Sequence, residues 1–434
     1  MHPNSHVAII SPLPLLTPGS GVTRVCPTGL AVPSRFLRLC GFLLALAVLP
    51  LPTGLAEDGA PADSACATQP APGRPEKPRD WFQTWQDFKK EMEDTTGTHV
   101  GLCAITTGQA VLNGKGEGKE RTVFWWNLNV TQRLWPGAKL ITNTRGGSGK
   151  GLDGIVGSKH NTGWPSNEPE CVYMSHLYLE QKIFDDKLTL ALGKLDTEDV
   201  FDTNEAASWD FLSYSLARNP TIPCRWHAIG AVARYDLLPW LYVQGGVADA
   251  QGSGTETGLN TAFHDEDYFF SIYEAGLKPK LGGRQGNYRF ILWHDPQPLG
   301  RIDGSGVKRD DLGLALSFDQ QIAEGVTAFL RYGYADKSVR EIEHFWSTGA
   351  TWAGPIPGRR EDVLGFGVGQ AIMGGDYRRA NRSARTDTIF ELYYKIKLTE
   401  WCSISPDLQA ILNPGASRDN DVGVIAGLKL VFDF

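Results

Sequence analysis

The sequence predicts an all-β protein, a transmembrane antiparallel β-barrel of about 16 strands with a short N-terminal helix. Three observations carry the prediction. From about Thr98 to the C-terminus the chain alternates with period 2, in segments of about ten residues that set an apolar face against one mixing charge with glycine. Turn chemistry fills the spacers, at Gly146-Gly147, Gly282-Gly283, Asp303-Gly304, Ala353-Gly354-Pro355 and Asn413-Pro414-Gly415. Aromatic residues gather near segment ends, at Tyr332, Tyr334, Trp401, Phe432 and Phe434, where rings would sit at a headgroup boundary.

Composition narrows the field. The 434 residues carry 42 Lys and Arg against 49 Asp and Glu, a net charge of −7. That charge, with no basic run, excludes a strongly basic nucleic-acid binder. A mean hydropathy of −0.24 excludes a helical membrane protein. The 49 glycines exceed the average share of about 7%.

The elements follow in chain order. Residues 1–56 read as a signal peptide, over-long at its start. Arg35 and Arg38 precede an apolar core that runs to the small residues Gly54 and Ala56, and Pro50 and Pro52 would break a spanning helix. Residues 57–80 are rich in Pro, Ala and charge, too poor in large apolar groups to bury a core, and read as a disordered linker. Over residues 81–97, Trp81, Trp85, Phe88 and Met92 recur at helical spacing and predict a short amphipathic helix. Residues 98–434 are the barrel. Its clearest strands are 311–318, 325–334, 388–398 and 421–434. Weaker ones fall at 100–111, 123–134, 138–144, 174–181, 188–195, 228–235, 241–248, 268–276, 288–293, 364–370 and 403–412, about fifteen in all. A soluble β-sandwich also alternates, but its strands usually run about five or six residues, whereas the last alternation here extends from Val422 to Phe434.

Strands in hydrocarbon cannot leave backbone groups unpaired, so the sheet must close, and an apolar outer face leaves the polar alternates to the lumen. Around 16 strands leave room for an aqueous channel. Parity sends His176, Tyr178 and Glu180 inward, opposite Ser175, Leu177 and Leu179. The same counting turns Arg234, Tyr242, Gln244, Arg289, Trp293, Arg331, Glu391, Tyr393, Lys395 and Lys429 toward the lumen.

Specific segments resemble the carbohydrate-selective porins of the OprB family: Leu134-Trp135-Pro136-Gly137, Leu177-Tyr178-Leu179-Glu180-Gln181, Leu192-Gly193-Lys194-Leu195-Asp196, Phe201-Asp202-Thr203-Asn204, and the closing block from Pro406 to Gly415 that runs into Phe434. The resemblance extends from about Trp81 to the C-terminus. It implies a sixteen-stranded barrel in the outer membrane, a periplasmic helix matching residues 81–93, and passive uptake of mono- or small oligosaccharides through a narrowed eyelet. Carried over residue by residue, it makes Glu180, Lys194, Asp196, Asp202, Asn204 and Arg218 candidates for the eyelet. Glu180 and Lys194 could instead pair across neighbouring strands. The implied partners are sugars in transit, outer-membrane lipid and lipopolysaccharide, and an assembly machinery that reads Phe434, with the chain a monomer or homotrimer and no nucleic acid involved.

Other signals are poorer. A general or anion-preferring porin is the nearest alternative, and a barrel-embedded enzyme, for which His264 and His344 are the loose candidates, is more remote. No HExxH, GxSxG or P-loop motif occurs. No cofactor or metal is implied: the acid-rich runs Asp196–Asp202 and His264–Asp267 lack EF-hand spacing and read as solvated loops. Cys171 and Cys224 are the candidate disulfide pair, both falling in turn-like segments.

Overall fold

The structure, a computed structural model, describes residues 81–434 except 167–168, 264–265, 384 and 421. The expected signal peptide and linker, together with His264 and Asp265, lie outside the described residues. Helix α1 (Trp81–Thr96) precedes sixteen barrel strands. These are β1 (Thr98–Asn113), β2 (Glu120–Trp135), β3 (Ala138–Ser148), β4 (Val172–Ile183), β5 (Leu188–Leu195), β6 (Ala228–Leu238), β7 (Leu241–Asp249) and β8 (Phe269–Leu277) in the first half. The second half comprises β9 (Arg284–Asp295), β10 (Asp311–Ala323), β11 (Val326–Tyr334), β12 (Ile342–Ala353), β13 (Val363–Met373), β14 (Thr386–Thr399), β15 (Cys402–Leu412) and β16 (Gly423–Asp433).

Each strand pairs antiparallel with its sequence neighbours, and β1 pairs with both β2 and β16, so the sheet closes and leaves no edge. At the seam Ala104 faces Phe432 and Ala110 faces Ala426. Phe434, one residue past β16, continues the pairing: its N–H donates to the Leu102 carbonyl and its carbonyl accepts from the Leu102 N–H. Short turns such as Pro136-Gly137 and Pro239-Trp240 gather at the end that holds both α1 and the C-terminus, and the long loops gather at the other. That asymmetry assigns the short turns to the periplasmic side.

The alternation is a physical partition. Leu177, Leu192, Leu292, Leu312, Leu330, Phe366, Leu392 and Leu408 stand exposed on the outer face. Their neighbours in sequence, among them Ile291, Arg331, Glu391 and Gln409, are buried inside. Two local departures have causes. Strand β12 escapes a periodicity reading because it sends Phe345 and Ser347 inward and leaves Thr348 and Ala350 among its outward residues, so neither face is uniformly apolar. Within β4 the register slips between Asn143 and Thr144 of β3, which turns Ser175 inward together with His176 instead of opposite it. No disulfide bridge joins Cys171 to Cys224.

Candidate functional site

Two of the long loops do not stay outside. Residues 149–166, between β3 and β4, and residues 196–227, between β5 and β6, fold into the barrel. Their composition drives this. Leu152, Val156, Ala206, Ala207, Phe211 and Leu216 pack against the inward Val111, Phe329, Ile389, Tyr393, Ile411 and Ile425 of β1, β11 and β14–β16. Nearer its two ends the second loop packs Phe201 and Ile222 on Val232, Ile272, Ile291 and Trp293 of the opposite wall. It therefore crosses the lumen, and each large apolar side chain it buries stabilises the crossing by roughly 1.5–3 kcal/mol. The two loops also bond each other, Trp164 N–H to the Leu212 carbonyl (2.9 Å) and Tyr214 N–H to the Asn161 carbonyl (2.8 Å).

The inward polar residues fasten this loop. Glu391 accepts the N–H groups of Leu212 and Ser213. Lys429 Nζ donates to the carbonyls of Trp209 and Asp210, both at 2.7 Å, and Lys395 Nζ to the Asp210 carboxylate at 2.9 Å. Arg331 is fully buried, donates to the Asp202 carbonyl at 2.8 Å and lies 3.8 Å from its carboxylate. All four point inward and hold protein, because a chain segment drawn across the lumen brings backbone groups that need partners, and Lys395, its side chain 29% exposed, also faces the lumen. On the wall toward the periplasm, Arg289 pairs with Asp319 (2.8 Å), and Arg234 lies 3.7 Å over the Tyr242 ring. These residues line a cavity of about 1110 Å3 that also touches Glu205 and Trp240.

His160 resembles a catalytic centre in composition. Its Nδ1 lies 2.7 Å from Ser215 Oγ and its Nε2 3.0 Å from the Asp387 carbonyl. All three residues are buried, and burial pushes the imidazole below its ordinary value. Together they stitch both loops to β14. His344 stands on the outer side between Tyr332 and Tyr334, with ring centroids 6.0 and 5.3 Å away. Among the described residues no group of three or more His, Cys, Asp or Glu is arranged to hold a metal.

Where the loops meet, aromatic rings form a continuous row. Trp125 of β2 lies 5.5 Å from Trp164, Trp164 stacks on Trp209 at 4.8 Å, Trp209 lies 5.8 Å from Tyr214, and Tyr214 6.1 Å from Trp226. Trp226 at the loop's outer end is 42% exposed. Two guanidinium groups cover the row, Arg145 5.6 Å over Trp125 and Arg218 4.5 Å over Trp209. Carboxylates border it: Glu198 accepts the Tyr214 hydroxyl, and Asp199 lies 3.0 Å from His176 Nε2. Burial pushes the Glu198 carboxyl up against the pull of Arg218. The surrounding protein also raises Asp199, whose side chain is 56% exposed, but the His176 ring together with Arg145 and Arg218 outweighs it and holds this carboxyl below its usual range. His227, 5.3 Å from the His176 ring and 3.4 Å from Asp196, is pushed down to about 2 by burial and then by Arg145. Flat rings flanked by fixed ionic and hydrogen-bonding groups suit a solute with apolar faces and many hydroxyls.

The six eyelet candidates divide into three settings. Asp196 and Arg218 lie at the row. Asp196 caps the single turn Thr197–Asp199 by accepting the Glu198 N–H, and burial beside Asp199 and Glu198 raises its carboxyl well above the usual range. Lys194, Asp202 and Asn204 build the frame. Lys194 Nζ donates to the carbonyls of Met174 (2.8 Å), Gly254 (2.9 Å) and Glu256, clamping the loop after β7. Asp202 accepts the Asn219 N–H at 2.9 Å, and Asn204 accepts those of Ala206 and Ala207 while donating to the Phe318 carbonyl. Glu180 remains on the wall, opposite Ala191 of β5 and Lys139 of β3. Lys194 stands opposite Leu177, so the cross-strand pair with Glu180 does not form.

Parity could not find the row, since Trp164, Trp209, Tyr214 and Trp226 lie in loops. The available signal was three tryptophans set in otherwise polar loop segments, Gly163-Trp164-Pro165, Ser208-Trp209-Asp210 and Arg225-Trp226-His227.

Comparison with known proteins gives a consistent result. Residues 82–434 match the family described as carbohydrate-selective porin, OprB family. Porin B of Pseudomonas aeruginosa is 22% identical over 307 residues, which cover 59% of this chain and 67% of that protein. Porin AaxA of Chlamydia felis is 22% identical over 309 residues, covering 69% of this chain and 64% of that one. The chain thus spans about two thirds of the length of these curated relatives. Among solved structures, the high-pH form of Pseudomonas putida OprB superposes with a TM-score of 0.71 at 19% identity, over 81% of this chain and 97% of that one. The low-pH form gives a TM-score of 0.54.

Proposed function

The chain belongs to the OprB family of carbohydrate-selective porins, and from that premise we propose that sugars cross this barrel by sliding along the row from Trp226 to Trp125. The protein is an outer-membrane porin selective for carbohydrates. The row carries the finer reading: a pyranose can lay its C–H face on the exposed ring of Trp226 and pass the edges of Trp209 and Trp164 while its hydroxyls exchange partners among Arg218, Arg145, Glu198 and Asp199. Two cations beside two anions recognise hydroxyls without holding a net charge, and contacts of this strength let the solute leave as readily as it enters. The cavity beneath residues 196–227 then serves as the periplasmic exit. Export by the leader at residues 1–56 and reading of Phe434 by the assembly machinery belong to the same proposal, as does the choice between monomer and trimer.

Single-channel recording in planar bilayers tests it. With glucose and maltooligosaccharides as blockers, Trp209→Ala and Arg218→Ala should each weaken block, by about 3- to 10-fold for a lost contact of about 0.7–1.4 kcal/mol. Unchanged block in both variants overturns the row as the sugar path. A strong anion selectivity in the reversal potential would replace the reading with that of an anion-preferring porin.

A further inference from the structure

Helix α1 carries an apolar stripe that the protein covers only in part. Trp81, Trp85, Phe88 and Met92 recur at 3.6-residue spacing on one side, whereas Gln83, Asp87, Glu91 and Asp94 occupy the other. Only Phe82 is buried, and Trp81 and Phe88 are each 54% exposed. In water such a stripe would be costly. Its surroundings indicate what covers it.

At its first turn the Trp81 ring lies 5.3 Å from Trp401 and 6.0 Å from Phe434, and Trp401 stacks in turn on Phe432 at 6.2 Å. Phe432 belongs to the outward set of β16, opposite in parity to the buried Ile425 and Lys429. The N-terminal end of the stripe is therefore continuous with the lipid-facing band at the short-turn rim. At the other end Arg133 Nη2 donates to the Glu93 carbonyl (2.7 Å) and His99 Nδ1 lies 3.1 Å from the Glu93 carboxylate. The helix, about 24 Å long, thus lies along the rim from the turn between β14 and β15 to the start of β1, crossing the β16–β1 seam. Lys89 folds over the Trp85 ring at 5.8 Å, the posture of a cation reaching up toward a headgroup.

We propose that α1 is an interfacial helix, its Trp81–Met92 stripe seated in the headgroup region of the phospholipid leaflet on the periplasmic side. A polar face with few apolar residues, a tryptophan-rich opposite face and continuity with the barrel's outer band are the requirements for lying in that plane. The inference depends on the barrel being in a bilayer and is independent of which solute it passes.

The test uses the full chain reconstituted in phosphatidylethanolamine and phosphatidylglycerol vesicles, with native cysteines replaced by serine and a single NBD-labelled cysteine at Phe88→Cys or, on the polar face, Asp87→Cys. Heat-modifiable gel mobility confirms that each barrel is folded. The label at 88 should emit to the blue of the label at 87 and be quenched several-fold more by lipids brominated on their acyl chains, whereas aqueous iodide should quench 87 in preference. Equal access of iodide to both positions overturns the proposal. So does shielding at 88 that vanishes as the protein is diluted tenfold in lipid, which would assign the stripe to a second copy of the chain.

Discussion

At the scale of single residues, His227 shows how the loop depends on proton balance. Its imidazole is buried next to Arg145 and pushed down to about 2, so the folded site binds a proton far more weakly than the unfolded chain does. Stability associated with this residue is complete above about pH 6.5 and is lost progressively as the pH falls below it, at up to about 1.4 kcal/mol per pH unit. Asp196, 3.4 Å away, has the opposite sign, because its raised carboxyl favours the folded state more as the solution becomes more acidic. Subtraction isolates the histidine: the melting temperature of His227→Gln in detergent should fall less steeply than that of the native chain between pH 6.5 and 4.5, and parallel curves would remove His227 from the balance. None of this was legible from sequence, since His227 lies just ahead of β6 and reads only as a polar residue in a turn.

At the scale of elements, the strands were legible and the crossing loop was not. A period of 2 reports directly which side chains meet lipid, so Leu312, Leu330, Leu392 and their inward alternates could be assigned without coordinates. What the inward residues touch depends on contacts between positions far apart in the chain, such as Phe211 with Tyr393 or Leu216 with Ile389, which no local pattern encodes. Parity thus turns Glu391, Lys395 and Lys429 inward but does not show that they hold the loop at Leu212, Ser213, Asp210 and Trp209. Removing one fastener leaves backbone groups short of a partner, at about 1–3 kcal/mol each. Lys429→Met should accordingly loosen residues 209–213 and raise both single-channel conductance and its open-state noise with the barrel still folded. Conductance and noise identical to the native channel would mean that apolar packing alone positions the loop.

At the scale of the whole molecule, the partition between lipid and interior sets the tolerance to charge. Leu392 stands outward midway along β14, while its neighbour Glu391 is buried. Leu392→Arg should lower unfolding stability in lipid vesicles by about 2–4 kcal/mol, as expected for a cation on the lipid face near the midplane. A change under 1 kcal/mol by denaturant titration would place this position away from hydrocarbon.

The staves and the aperture are written in different stretches of chain: the hydrogen-bonded ladder supplies the cylinder, and residues 149–166 and 196–227 supply the bore. Natural variation or a laboratory transplant could therefore recut the opening for another cargo by exchanging those two inserts, provided the anchoring pegs at Arg331, Glu391 and Lys429 still find carbonyls, amides or carboxylates to grip.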